Sequence, residues 1–123
     1  VTRLVGLGLL MASLLTVGVP IAGAADVLQV RNGTLLQVGD GNRNYEVEMA
    51  CIHVQPEEQE AAQAWLRQQL PRRTAVNLRP LGQEQGRLQA RVRRIDSSDY
   101  LETGLMAAGL AEPASSAPAG CPV

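Results

Sequence analysis

The chain contains no lysine and no phenylalanine, and its aromatic rings are limited to Tyr45, Trp65 and Tyr100 beside one imidazole, His53. Proteins that hold single-stranded nucleic acid stack bases on such rings, so this composition argues against that role. All 11 basic residues are arginines, set against 12 acidic residues for a net charge of −1. The chain as a whole therefore has no attraction to a polyanion, although local basic patches are compatible with that balance. No internal repeat is present, and 123 residues suffice for one domain with a modest core.

Charge is also missing from the beginning of the chain, where Arg3 is the only ionic residue before Asp26. Leu4 to Val19 is almost wholly apolar, Pro20 breaks the run, and Ala22-Gly23-Ala24 supplies the small residues that a signal peptidase requires. Residues 1–24 are thus predicted to be a cleavable signal segment, with the protein exported to the periplasm or the extracellular space and left without a stable membrane anchor. The competing reading is an uncleaved anchor, since the run nearly suffices to span a bilayer. Export permits a disulfide between Cys51 and Cys121, the two cysteines of the chain. Cys51 reads equally well as a small buried strand residue, and the sequence leaves the pairing open.

What remains divides into a domain over 25–112 and a tail over 113–123, rich in Pro, Ala and Ser, without periodicity and expected to be flexible. Val27–Val30 and Thr34–Val38 read as strands around an Arg31-Asn32-Gly33 turn. Gly39-Asp40-Gly41-Asn42 is a hairpin signal, because these residues tolerate positive φ. Tyr45–Ile52 follows as a third strand, with Tyr45, Val47, Met49 and Cys51 on one face and Glu46, Glu48 and Ala50 on the other. Pro56–Leu70 is predicted helical, with Glu57, Glu58 and Glu60 at the positive end of its dipole and Ala62, Trp65, Leu66 and Leu70 on a buried stripe. Ala75–Leu78 and Arg87–Arg94 are the remaining strands, separated by a polar loop over Gly82–Gly86. Asp99 with Glu102 has the spacing of a capping box before a second helix, which carries Leu101, Leu105 and Ala108 and stops at Gly109. Five short strands with a helix after the third predict an α+β, mainly β, barrel of the oligonucleotide/oligosaccharide-binding (OB) type with two helices.

Several of these segments, taken in order, resemble staphylococcal-nuclease-like domains, the thermonucleases. Val27-Leu28-Gln29-Val30-Arg31-Asn32-Gly33-Thr34-Leu35-Leu36-Gln37-Val38 is similar to the opening hairpin of that family, which carries Asp-Gly-Asp-Thr at the turn. Val47-Glu48-Met49-Ala50-Cys51-Ile52-His53 resembles its next strand, Val-Arg-Leu-x-x-Ile-Asp followed by Pro-Glu. Gly86-Arg87-Leu88-Gln89-Ala90 is similar to the segment entering its fifth strand, and Gly104-Leu105-Met106-Ala107-Ala108-Gly109-Leu110-Ala111 to its terminal helix. The resemblance covers residues 26–112. It implies a Ca²⁺-dependent phosphodiesterase ancestry, and the site positions follow from it one at a time. Asn32 and Thr34 stand at the two Asp positions of the turn. Glu48 falls on the phosphate-binding Arg, and His53 on the metal-binding Asp. Pro56-Glu57 supplies the general-base pair, one residue further on than in the family, and Arg87 keeps its place.

These replacements have chemical consequences. Ca²⁺ takes several hard oxygen ligands, mostly carboxylates; Thr34 offers a neutral hydroxyl and His53 a nitrogen suited to other metals. Glu48 places negative charge where a phosphoryl transition state needs a cation. The expectation is therefore a pseudoenzyme in which Arg87 and Glu57 are remnants, with no bound cofactor and no resident metal. Its role is then to bind a protein or an oligomeric ligand, with weak or absent nucleic-acid binding. The alternative is a divergent metal-dependent phosphodiesterase with a rearranged site. Glu48, His53 and Glu57 match a transition-metal set in type, but strand alternation separates Glu48 from His53. The arginines at 72–73 and 91–94 read as a solvated face.

Overall fold

A computed structural model describes residues 24–122; the predicted signal segment lies outside these apart from Ala24. The elements are β1 (Ala24–Val30), β2 (Leu35–Asp40), β3 (Arg43–Met49), β4 (Ile52–His53), a single 3-10 turn (Pro56–Glu58), α1 (Gln59–Gln69), β5 (Ala75–Glu84), β6 (Arg87–Arg94), α2 (Leu101–Ala107) and β7 (Glu112–Pro113). Five strands close a barrel in the order β1-β2-β3-β6-β5, with β5 returning to β1. Every neighbouring pair is antiparallel except β3 and β6, which run parallel because α1 and β5 intervene between them. This is the OB-like Greek-key barrel expected from the element order.

Alternation builds the core. Val38, Val47, Val76, Ala90 and Val92 are wholly buried inside the barrel, and Leu66 of α1 and Leu105 of α2 close it. An irregularity between Val27 and Gln29 resets β1, so that Val27 and Val30 both face inward three residues apart. Gly41 takes φ 66° in the turn joining Asp40 to its partner Arg43, as the hairpin signal predicts.

Several expectations need correction. The third strand ends at Met49; Cys51 adopts φ 76° in a turn, so it does not continue the Tyr45–Val47–Met49 face. The pairing left open by the sequence is present, for Cys51 is joined to Cys121 with a Cα–Cα distance of 5.5 Å. The tail residues are held back onto the barrel. Pro113 and Glu112 pair with Ile52 and His53, the Ala114 N–H donates to the Cys51 carbonyl (3.1 Å), and Cys121 is tied by the disulfide. Strand β5 runs on through the polar stretch to Glu84, and only Gln85 and Gly86, both at positive φ, make the turn into β6. That ribbon extends past the core, so burial leaves no apolar alternation to read there.

The helices also differ in detail. Trp65, expected in the core, is half-buried, with its indole against α2. A Cβ at Gly104 would lie 2.6 Å from Trp65 Cη2, so the glycine is what admits the ring. At α2 the capping residue is Tyr100 without a side-chain cap, and Glu102 turns inward instead of closing a capping box. Ala108 is exposed, while Gly109 (φ 78°) ends the helix, with the Leu110 N–H donating to the Leu105 carbonyl. Among the described residues no helix is long and apolar enough to cross a membrane.

Candidate functional site

The β1–β2 turn is shaped by its own side chains. Asn32 Oδ1 accepts from the backbone N–H of Thr34 (2.8 Å) and of Leu35 (3.0 Å), an Asx turn that fixes Thr34 at the start of β2. Helix α1 then pins the turn from outside. Gln59 Oε1 accepts from the Gly33 N–H (2.9 Å), and Gln63 Nε2 donates to the carbonyls of Val30 (3.3 Å) and Arg31 (3.1 Å). A Cβ at Gly33 would sit 2.7 Å from Gln59 Oε1 and 3.0 Å from Ala62 Cβ, so helix and turn approach this closely only because residue 33 has none.

Strand pairing brings the next residues to that turn. Leu35 is the partner of Glu48, and Glu48 is the partner of Gln89 in the parallel β3–β6 ladder. Thr34 Oγ1 donates to Glu48 Oε2 at 2.7 Å, and Arg87 Nη1 stands 3.9 Å from Glu48 Oε1. Arg87 turns its Nε to Glu46 Oε1 (3.1 Å), and the other oxygen of Glu46 lies 3.6 Å from Arg31 Nε. Asn32, Thr34, Glu48 and Arg87, separated in sequence, thus share one patch. Two residues absent from the sequence expectation complete it, Glu46 and Arg31. Glu46 was findable, since it lies two positions before Glu48 on the same strand face. A polar cleft of about 280 Å³ opens beside the patch, lined by Glu48, Arg87, Glu84, Gln85 and Gln89.

His53 and Glu57 are placed elsewhere. His53 is exposed on β4, opposite Glu112, and Glu57 is exposed in the 3-10 turn. Among the described residues neither makes a hydrogen bond or ion pair to the Glu48–Arg87 patch, and no three His, Cys, Asp or Glu side chains converge as a metal would require. The carboxylates at the turn, Glu46 and Glu48, are both engaged by guanidinium groups. This donor set does not fit Ca²⁺, which binds through several carboxylate and carbonyl oxygens at once.

A further acid, Glu102, read from the sequence as half of a capping box, lies on the other side of β6. Beyond Ala90 the β3 partner is gone, because the chain has turned at Ala50 and Cys51. The exposed β6 edge is closed by α2, where Glu102 accepts the Val92 N–H with both carboxyl oxygens (3.2 and 3.1 Å). Glu102 is only 1% exposed. Burial pushes its pKa up to about 8, against the opposing pull of backbone N–H groups and Arg91. Arg91 itself stacks on the Tyr100 ring, 3.9 Å from its centroid.

Compared with models of known protein families the chain matches none, and a search among curated proteins likewise finds no match.

Proposed function

We propose that this chain is an exported staphylococcal-nuclease-like barrel that has lost catalysis and acts as a binding module for a protein or oligomeric ligand. The observation that carries this reading is the position of the Glu48 carboxylate. It takes the Thr34 hydroxyl on one oxygen and faces Arg87 on the other, while Arg87 is held by Glu46. A phosphodiester approaching Arg87 would have to displace one carboxylate and lie against a second. Phosphoryl transfer needs the opposite arrangement, with cations waiting where negative charge develops. The closed OB-like barrel, and the joint order of the motifs along it, support the nuclease-like ancestry. The apolar run at 4–19 supports export.

The test is hydrolysis of single-stranded DNA and of RNA by the purified domain in the presence of Ca²⁺. The reading expects no activity above a buffer control, in the wild type and in Arg87→Ala alike. Chelator-sensitive cleavage that disappears in Arg87→Ala or Glu57→Gln would replace it with the rearranged phosphodiesterase.

A further inference from the structure

The arginines at 91–94, read from the sequence as one solvated face, are divided by strand alternation. Arg94 is answered in place, donating Nε and Nη2 to the two oxygens of Asp96 (3.0 and 2.9 Å) and Nη1 to the Gln69 carbonyl (3.1 Å). Arg91 and Arg93 lie on the outer face of β6, since Ala90 and Val92 are the buried residues of that stretch. Ladder register adds a third cation to this face. Arg79 of β5 is the direct partner of Arg91, and Asn77 is the partner of Arg93. Directly opposed residues on one face hold their Cβ atoms about 5 Å apart, and residues two apart on a strand are separated by about 7 Å. Arg79, Arg91 and Arg93 therefore form one cluster. It lies further along β6 than the Glu48–Arg87 patch and shares no residue with it.

No carboxylate pairs with these three cations among the described residues, where the ion pairs are those of Arg31, Arg87 and Arg94. The surrounding acids are each accounted for. Glu102, next to Arg91, is buried and gives both oxygens to the Val92 N–H, and that burial favours its neutral form. Asp99, beside Tyr100, is exposed and forms no ion pair with the cluster. Asp26 faces Ala75, one row beyond the row of Ala24, Asn77 and Arg93. What the guanidinium groups do touch carries no full charge. Arg91 stacks on the Tyr100 ring, 3.9 Å from its centroid, and Arg93 Nη1 donates to the Ser97 carbonyl (2.7 Å). Arg91 Nε is buried without a hydrogen-bond partner among the described residues. Stacking occupies the face of that guanidinium and leaves its Nη edge for an acceptor. Arg79 is exposed and unpaired among the described residues. Like charges directly opposite one another destabilise a ladder, so the Arg79–Arg91 pair is a cost to the fold that a bound anion would remove.

A neutral ligand would leave all three charges in place, and a single carboxylate would answer only part of them. A tetrahedral oxyanion with two or more charges presents acceptor oxygens in several directions, which suits planar guanidinium forks arriving from two strands. We infer that the Arg79–Arg91–Arg93 face binds a small multivalent oxyanion of the phosphate class. The inference goes beyond the binding-module reading and does not depend on whether the Glu48–Arg87 patch is catalytic.

The experiment is a calorimetric titration of the full exported domain with sodium pyrophosphate, in chelator and at an ionic strength held constant with sodium chloride. Saturable binding is expected in the wild type. Arg79→Gln and Arg93→Gln are each expected to weaken it about fivefold or more, the loss of one charge-assisted contact. Arg67→Gln removes the same charge from an exposed position on α1, outside the cluster, and is expected to leave the affinity within about twofold. The urea midpoint of each variant is measured to show that it folds. Arg79 is exposed, so Arg79→Gln decides the matter if Arg93→Gln does not fold. Absence of saturable binding overturns the inference. Unchanged affinity in Arg79→Gln overturns it as well, because the anion would then sit elsewhere. So does an equal loss in Arg67→Gln, because binding would then follow net charge alone.

Discussion

Two groupings of glutamate with arginine lie on either side of β6, and solvent makes them behave differently. On the β3 side, Glu46 and Glu48 face Arg31 and Arg87 with each side chain roughly a third exposed. Water screens these pairs, and such contacts contribute no more than about 1 kcal/mol each. On the α2 side, Glu102 is buried next to Arg91 and replaces a missing strand by accepting the Val92 N–H. There desolvation favours the protonated carboxyl, pushing its pKa up to about 8, and its partner is the Val92 backbone N–H. The difference teaches that the patch to which the resemblance points is energetically quiet. The residue that the sequence offered only as a helix cap is the buried one, and it closes the β6 edge that β3 leaves open.

The largest effect comes from opening the buried side. Cys51 and Pro122 wall a cavity of about 170 Å³ together with Glu102 and Arg91, so the disulfide and the chain around it cover that acid. The bond spans 70 residues, and a loop of that size corresponds to about 4 kcal/mol of stability. Reduction is expected to lower the unfolding free energy by that amount, checked by urea unfolding with and without reductant. Next in size is Glu102→Ala, which leaves the Val92 N–H without an acceptor and costs about 2 kcal/mol.

The pH dependence of the same group separates the two sides further. Its folded pKa, about 8, lies above the ordinary value of 4.5, so the folded state holds a proton that the unfolded chain releases. The contribution to stability is fully present below about pH 4.5. It then falls as pH rises toward 8, by about 1.4 kcal/mol per unit at most. Glu102→Gln keeps an acceptor for Val92 and removes the titration. The difference in unfolding free energy between wild type and Glu102→Gln should therefore shift in favour of the variant across that window, and a flat difference would place Glu102 in water. Smallest is Arg87→Ala on the exposed side, expected to cost less than about 1 kcal/mol and to lose even that as salt is added.

Much of the barrel was legible because alternation at Leu88–Ala90–Val92 and the Gly-rich turn at 39–42 are local signals. Helix α1 was legible for the same reason from the stripe through Ala62 and Leu66, although Pro56–Glu58 form a 3-10 turn before it and not its first turn. The break at Cys51 was not, since the left-handed residue inside an alternating run has its partners, the disulfide and the Ala114 contact, at the far end of the chain. Glu102 was misassigned because Asp-x-x-Glu spacing is met by any acid at that offset, and only the departure of β3 from β6 shows what it is for. At the candidate site the resemblance brought Asn32, Thr34, Glu48 and Arg87 together. Strand alternation was the signal available for adding Glu46. Nothing local marked Gln59 and Gln63 as the residues that pin the turn, because their partners are backbone groups about 30 positions away.

The central claim is that the carboxylates at the β1–β2 turn are committed to threonine and arginine rather than to a cation. Thermal unfolding in millimolar Ca²⁺ against chelator tests it most directly, since any ion held by the folded state alone raises stability by mass action, by about 2.7 kcal/mol at a hundredfold excess over its dissociation constant. Coincident unfolding curves are expected in the two conditions. A melting temperature that rises with Ca²⁺ to a limit set by its affinity, and no longer rises in Glu48→Gln, would contradict it.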